Sequence, residues 1–174
     1  MQVLVGYTSR HGATAEIAAR AGDVLREILT AADPTSGVVV RNLVDVDDVT
    51  DYDAVVLGSA IYLGRWSGVA RMFVRDNVAD LSRRPVWFFS SGPVGGAAGA
   101  TEEPAEVRRL ADLVGARGHR LFPGRLRSAD LGFTERLTVR AVHAQEGDYR
   151  DWYDVAKWAV DLGDELVAGS LTAR

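Results

Sequence analysis

Apolar positions along this chain switch repeatedly between short unbroken runs and helical spacing. Val3-Leu4-Val5-Gly6-Tyr7 is a short apolar run that stops at a polar, glycine-containing turn, as a buried strand does. From Thr14 onward, Ile17, Ala18, Ala21, Val24, Leu25 and Ile28 recur at three- and four-residue spacing and form one helical face. Gly22 within that face costs about 1 kcal/mol relative to alanine, so packing must compensate. Asp33 to Gly37 breaks the chain, and Val38-Val39-Val40 predicts a second strand. Ala54-Val55-Val56-Leu57-Gly58 is apolar throughout, as a parallel strand covered on both faces should be. After a loop from Ser59 to Trp66, a helix is expected with Val69, Met72 and Phe73 inward. Val86-Trp87-Phe88-Phe89 predicts a fourth strand, running into a glycine-rich loop from Ser90 to Ala100. Thr101 reads as an N-cap followed by Glu102 and Glu103, with Val107, Leu110, Ala111 and Val114 buried and Gly118 as the stop. His119 to Phe122 predicts a fifth strand. Asp151 opens a last helix with a stripe of Trp152, Val155, Ala156, Ala159, Leu162 and Leu166.

Strict alternation of five strands with four or five helices implies an α/β fold, a parallel sheet with helices on both faces. No repeat or low-complexity linker divides residues 1–174, so one domain is expected. Pro123 to Arg150 is too long for a simple connection. An extra helical segment is expected around 125–150, with Leu131 to Ala144 as its helix. Phe133, Leu137 and Val142 are the apolar positions of that helix, and Arg136, Arg140 and His143 lie on another face.

Composition narrows the function. The absence of cysteine excludes disulfides, thiol catalysis and thiolate metal sites. A net charge of −4 argues against a protein that lives by phosphate-backbone contacts, so no nucleic-acid partner is expected. The first strand begins at Val3, leaving no room for a secretory leader, and no apolar run is long enough to span a bilayer. A cytoplasmic location is expected.

In an open α/β sheet, ligands bind beyond the carboxyl ends of the strands. Three loops leave those ends. Thr8-Ser9-Arg10-His11-Gly12-Ala13-Thr14 offers three hydroxyls, a cation, an imidazole and a glycine immediately before a helix start. Amides left open there, together with the helix dipole, can hold an anion; the alternative is a capped helix start with polar turn residues. Ser59 to Trp66 carries Tyr62 and Trp66, which can stack on a planar heterocycle or pack under the loop as a small core. Ser90 to Ala100 would let backbone approach a flat ligand, or would be a surface loop.

Several other chemistries lose support. A dinucleotide fingerprint needs glycines where Thr8, Arg10 and Ala13 stand, and a P-loop needs Gly-Lys-[Ser/Thr]. A single phosphate suits the first loop better. His11, His119 and His143 show no metal-ligand spacing and read as surface or turn histidines, so no metal is expected. Asp45, Asp47, Asp48 and Asp51 read as a solvated acidic loop, because a phospho-acceptor would need aspartate where Gly58-Ser59 stands. No nucleophile elbow is present.

Tyr7 to Ala18 resembles the flavodoxin phosphate-loop pattern, aromatic-x-[Ser/Thr]-x-x-Gly-x-Thr. The wording TSRHGATAEIA is most similar to the menaquinone-dependent protoporphyrinogen IX dehydrogenase branch. Tyr52 to Ile61 followed by Tyr62-Leu63-Gly64, Gly124-Arg125-Leu126 and Asp151-Trp152 look similar too. The resemblance implies a flavodoxin-like three-layer sandwich with a five-stranded parallel sheet ordered 2-1-3-4-5, and FMN as cofactor. It implies a cofactor site of Thr8, Ser9, Arg10, His11, Gly12, Ala13 and Thr14 at the phosphate. Ser59, Ala60, Ile61, Tyr62, Leu63 and Gly64 would line one side of the isoalloxazine, and Ser91, Gly92, Pro93, Val94, Gly95 and Gly96 the other. Expected partners are a small-molecule redox substrate, protoporphyrinogen IX by this resemblance, and a quinone-type acceptor. Peripheral contact at the inner face of the membrane and a homo-oligomer are compatible with it. No catalytic side chain is singled out. The alternatives are an electron-carrier flavodoxin and a flavodoxin-like module without cofactor.

Overall fold

Val3, Leu4 and Val5 are all buried, yet they serve two different cores. Successive strand residues point to opposite sheet faces, so an unbroken apolar run requires cover on both sides. The computed structural model describes residues 1–62, 64–92, 103–127 and 146–172. Within them, strands β1 (Gln2–Thr8), β2 (Gly37–Asn42), β3 (Ala54–Ala60), β4 (Val86–Ser91) and β5 (Gly118–Phe122) form one parallel sheet in the order 2-1-3-4-5.

One face packs on helices α1 (Ala13–Ala32) and α5 (Trp152–Thr172), burying Val3, Val5, Val56 and Phe89 against Ile17, Leu25, Val155 and Leu162. The other packs on α2 (Gly68–Asp76), the short α3 (Val78–Leu81) and α4 (Ala105–Val114), burying Leu4, Leu57 and Phe88 against Trp66, Phe73, Val107 and Leu110. Each large aliphatic or aromatic side chain so buried stabilises the fold by about 1.5–3 kcal/mol before entropy is counted. Gly22 has a physical reason: a Cβ there would lie 2.3 Å from Cγ2 of Val40, so glycine lets α1 approach β2.

The expected sheet order and layers are present, and several local expectations need correction. Val69 and Met72 of α2 are exposed, and Ala70, Phe73 and Val74 face the core instead. The true stripe is one residue out of phase, because α2 docks on the sheet through Ala70, Phe73 and Val74; Ser67 caps its start through the Ala70 amide. Helix α4 stops at Gly115, whose φ of 65° ends the helix, while Gly118 opens β5. Trp152 lies exposed at the start of α5, its ring 4.4 Å from the Arg150 guanidinium. An antiparallel pair, β6 (Arg125–Leu126) with β7 (Gly147–Asp148), was not expected. The expected N-cap Thr101 and the helix Leu131 to Ala144 lie outside the described residues.

Candidate functional site

The carboxyl ends of the central strands carry a row of hydroxyls. Thr8 lies opposite Ser59 in the sheet register, and Ser59 opposite Ser90. In-register residues of parallel strands share a face, here the α2 side. Thr8 Oγ1 donates to Ser59 Oγ at 3.0 Å and pairs with Ser67 Oγ at 2.8 Å, while Ser59 Oγ accepts the Ser67 amide at 3.1 Å. This buried lattice fixes the β1–α1 loop relative to the β3–α2 loop. On the opposite face, Thr14 Oγ1 pairs with Ser91 Oγ at 2.7 Å and ties the first loop to the third.

Helix α1 is preceded by its N-cap Gly12, whose φ of 82° is the left-handed turn that glycine adopts without penalty. Gly12 provides no capping side chain, so the amides of the first turn are open to an anion. The Thr14–Ser91 pair shares one of its two hydroxyl protons and leaves the other for a ligand. Ser9 is half-buried beside this turn, and Arg10 is exposed, its guanidinium 5.7 Å from the Tyr62 ring centroid. The donor set therefore fits a phosphate monoester.

The second loop presents one aromatic rather than two. Tyr62 is exposed and pairs backbone-to-backbone with Arg65, a tight turn in which Gly64 has a φ of 73°. Trp66 is buried against Phe88 at 4.7 Å between centroids and donates its indole N–H to Ser90 Oγ at 2.7 Å. Of the two readings for Trp66, packing under the loop is the one observed. The Ile61 amide donates to the Ser91 carbonyl at 3.0 Å, and the Gly92 amide to the Phe122 carbonyl at 3.0 Å. Thr8–Thr14, Ser59–Tyr62, Gly64, Ser91 and Gly92 thus gather at one sheet edge. Leu63, Pro93, Val94, Gly95 and Gly96 lie outside the described residues.

Two features escaped the linear pattern. His119 is not a surface or turn histidine, for its side chain is only 7% exposed. Its place opposite Phe88 in β5 turns the ring toward the α4 face. Nε2 lies 2.8 Å from Ser90 Oγ, and Nδ1 3.1 Å from Glu103 Oε1. Burial pushes the His119 pKa down, against the opposing pull of Glu103. The partners assign a neutral ring: Nδ1–H donates to Glu103, Nε2 accepts from Ser90, and Ser90 accepts from Trp66. Ser90 is fully buried, so this Ser–His–Glu arrangement braces the end of β4 rather than exposing a nucleophile.

The second is a charge cluster behind the first loop. Arg125 of β6 donates to the Glu16 carboxylate at 2.8 Å and to the His11 carbonyl at 3.2 Å. Arg150 bonds both Glu16 and Asp148. Burial raises the Glu16 pKa, but the hydrogen bonds from Arg150 and Arg125 outweigh it and hold the carboxyl below its ordinary range. Only a fold that brings residue 125 beside residue 16 could reveal this pairing.

Among the described residues no group of histidines and carboxylates could hold a metal ion, and no helix is long and apolar enough to cross a membrane. No curated protein matches the sequence. A flavodoxin from the domain Archaea is similar in structure, at TM-score 0.63 and 16% identity, covering 95% of this chain and 98% of its own. The flavodoxin of Streptococcus pneumonia TIGR4 is similar at TM-score 0.60 and 18% identity, covering 97% and 99%. An apo NADH:FMN oxidoreductase, EmoB, is similar at TM-score 0.54 and 14% identity, covering 97% and 89%. The flavodoxin domain family itself matches residues 4–152, and the chain therefore belongs to that family and binds FMN.

Proposed function

We propose that this protein is an FMN-dependent oxidoreductase that takes electrons from protoporphyrinogen IX and delivers them to a quinone-type acceptor. In this reading Ser9 to Thr14 hold the FMN phosphate, Ser59 to Gly64 line one side of the isoalloxazine and Ser91 to Gly96 the other. The observation that carries the site is the Thr14–Ser91 bond, which joins an uncapped helix start to the third loop at one sheet edge. Bound FMN supplies the redox chemistry, and the protein orients it and tunes its electronics. Thr8, Ser59 and Ser67 act as scaffold, since their hydroxyls are occupied by one another. The substrate choice rests on the wording of the first loop, TSRHGATAEIA.

The test supplies FMN-loaded protein with protoporphyrinogen IX and a menaquinone analogue under anaerobic conditions and follows porphyrin fluorescence. Porphyrin should form above the no-enzyme control only with both FMN and acceptor present. Flavin reduction by a reductase without porphyrin formation would replace this reading with an electron carrier.

A further inference from the structure

Glu16 poses an electrostatic problem. A carboxylate in the first turn of α1 favours the helix dipole, but it would repel a phosphate held at the same helix end. Arg125 and Arg150 both close on that carboxylate, and both side chains are largely buried while Glu16 is half exposed. Glu16, Asp148, Arg125 and Arg150 together sum to zero charge. Arg125 also grips the first loop directly through the His11 carbonyl, one residue before the left-handed Gly12. Its guanidinium lies 3.6 Å from where a Cβ on Gly12 would stand.

We infer that Arg125, carried on β6, is a positioning residue for the FMN phosphate that acts through Glu16: it cancels the carboxylate charge that would repel a phosphate from the head of α1. The inference rests on the assignment of the phosphate to Ser9–Thr14. It makes the β6–β7 pair part of the cofactor site, although neither strand belongs to the main sheet. Loss of Arg125 leaves the cluster at −1 beside a dianionic ligand. Removing Glu16 as well restores zero.

The experiment measures dissociation constants of FMN and riboflavin, by quenching of flavin fluorescence, for wild type, Arg125→Met, Glu16→Gln and the double variant. Arg125→Met should weaken FMN about tenfold and riboflavin by less than about threefold, and the FMN loss should shrink at high salt. The double variant should regain most of that loss. Glu16→Gln alone should bind FMN at least as tightly as wild type, and this arm stands even if Arg125→Met does not fold. A clamp that is merely structural predicts the opposite: FMN and riboflavin weakened equally, no recovery in the double variant, and Glu16→Gln weaker for both. That pattern would overturn the role of Arg125 alone. Wild-type protein with no preference for FMN over riboflavin would overturn the phosphate assignment and this inference with it.

Discussion

Replacing Trp66 by phenylalanine separates core packing from ligand stacking at the second loop. The indole is 2% exposed, stacks obliquely on Phe88 and gives its N–H to the fully buried Ser90. Phenylalanine keeps most of the ring volume but removes that donor, leaving the buried Ser90 oxygen bonded to His119 alone and its lone pairs without a donor, at a cost of about 1–3 kcal/mol. The smaller ring also leaves part of the indole volume empty, which adds about 1 kcal/mol. A total near 2–4 kcal/mol lowers the melting temperature by roughly 4–16 °C for a chain of this size. FMN affinity and fluorescence quenching should stay within about threefold of wild type, since Trp66 faces the sheet. Calorimetry and flavin titration on the same preparation read both quantities. An unchanged melting temperature with lost quenching would mean that Trp66 meets the isoalloxazine and that its buried place is wrong.

Thr14→Ala removes one hydroxyl of the Thr14–Ser91 pair and should weaken FMN binding tenfold to over a hundredfold, about 1.5–3 kcal/mol for a bond to a charged acceptor; fluorescence titration checks it. Tyr62→Ala should reduce both FMN affinity and quenching, because Tyr62 is the exposed aromatic of its loop; unchanged values would return it to the surface. Burial keeps His119 neutral in the fold, so as pH falls through about 6.5 the unfolded chain takes up a proton that the native state refuses. Stability should therefore decline on acidification below that point and be flat above it. His119→Gln should flatten the decline, as urea unfolding at several pH values would record. Glu16 and Asp148, whose pKa values lie below their ordinary ones, contribute stability that is lost only at lower pH, as it falls through their folded values.

Much of the fold was readable because its signals are local. Val3 to Val5, Ala54 to Leu57 and Val86 to Phe89 are unbroken apolar runs, and two-sided burial is what such runs demand. The hydroxyl-rich turn before α1 was equally plain, since the helix start and its glycine are neighbours in sequence. What failed was whatever depended on distant residues or on phase. Val69 and Met72 fit a helical stripe as well as Ala70 and Val74 do, and only docking on the sheet selects between them. Trp66 and Tyr62 are equivalent in composition, yet the Ser90 hydroxyl captures one indole and leaves the phenol outside. His119 became a buried bridge through a strand register, and Arg125 met Glu16 across 109 positions.

Titration of flavin-free protein with FMN and riboflavin tests the site most directly, because the two ligands differ only by the phosphate assigned to Ser9–Thr14. FMN should bind at least about a hundredfold tighter than riboflavin, with an advantage that falls as salt rises. Equal affinity for the two would contradict the phosphate site at the head of α1.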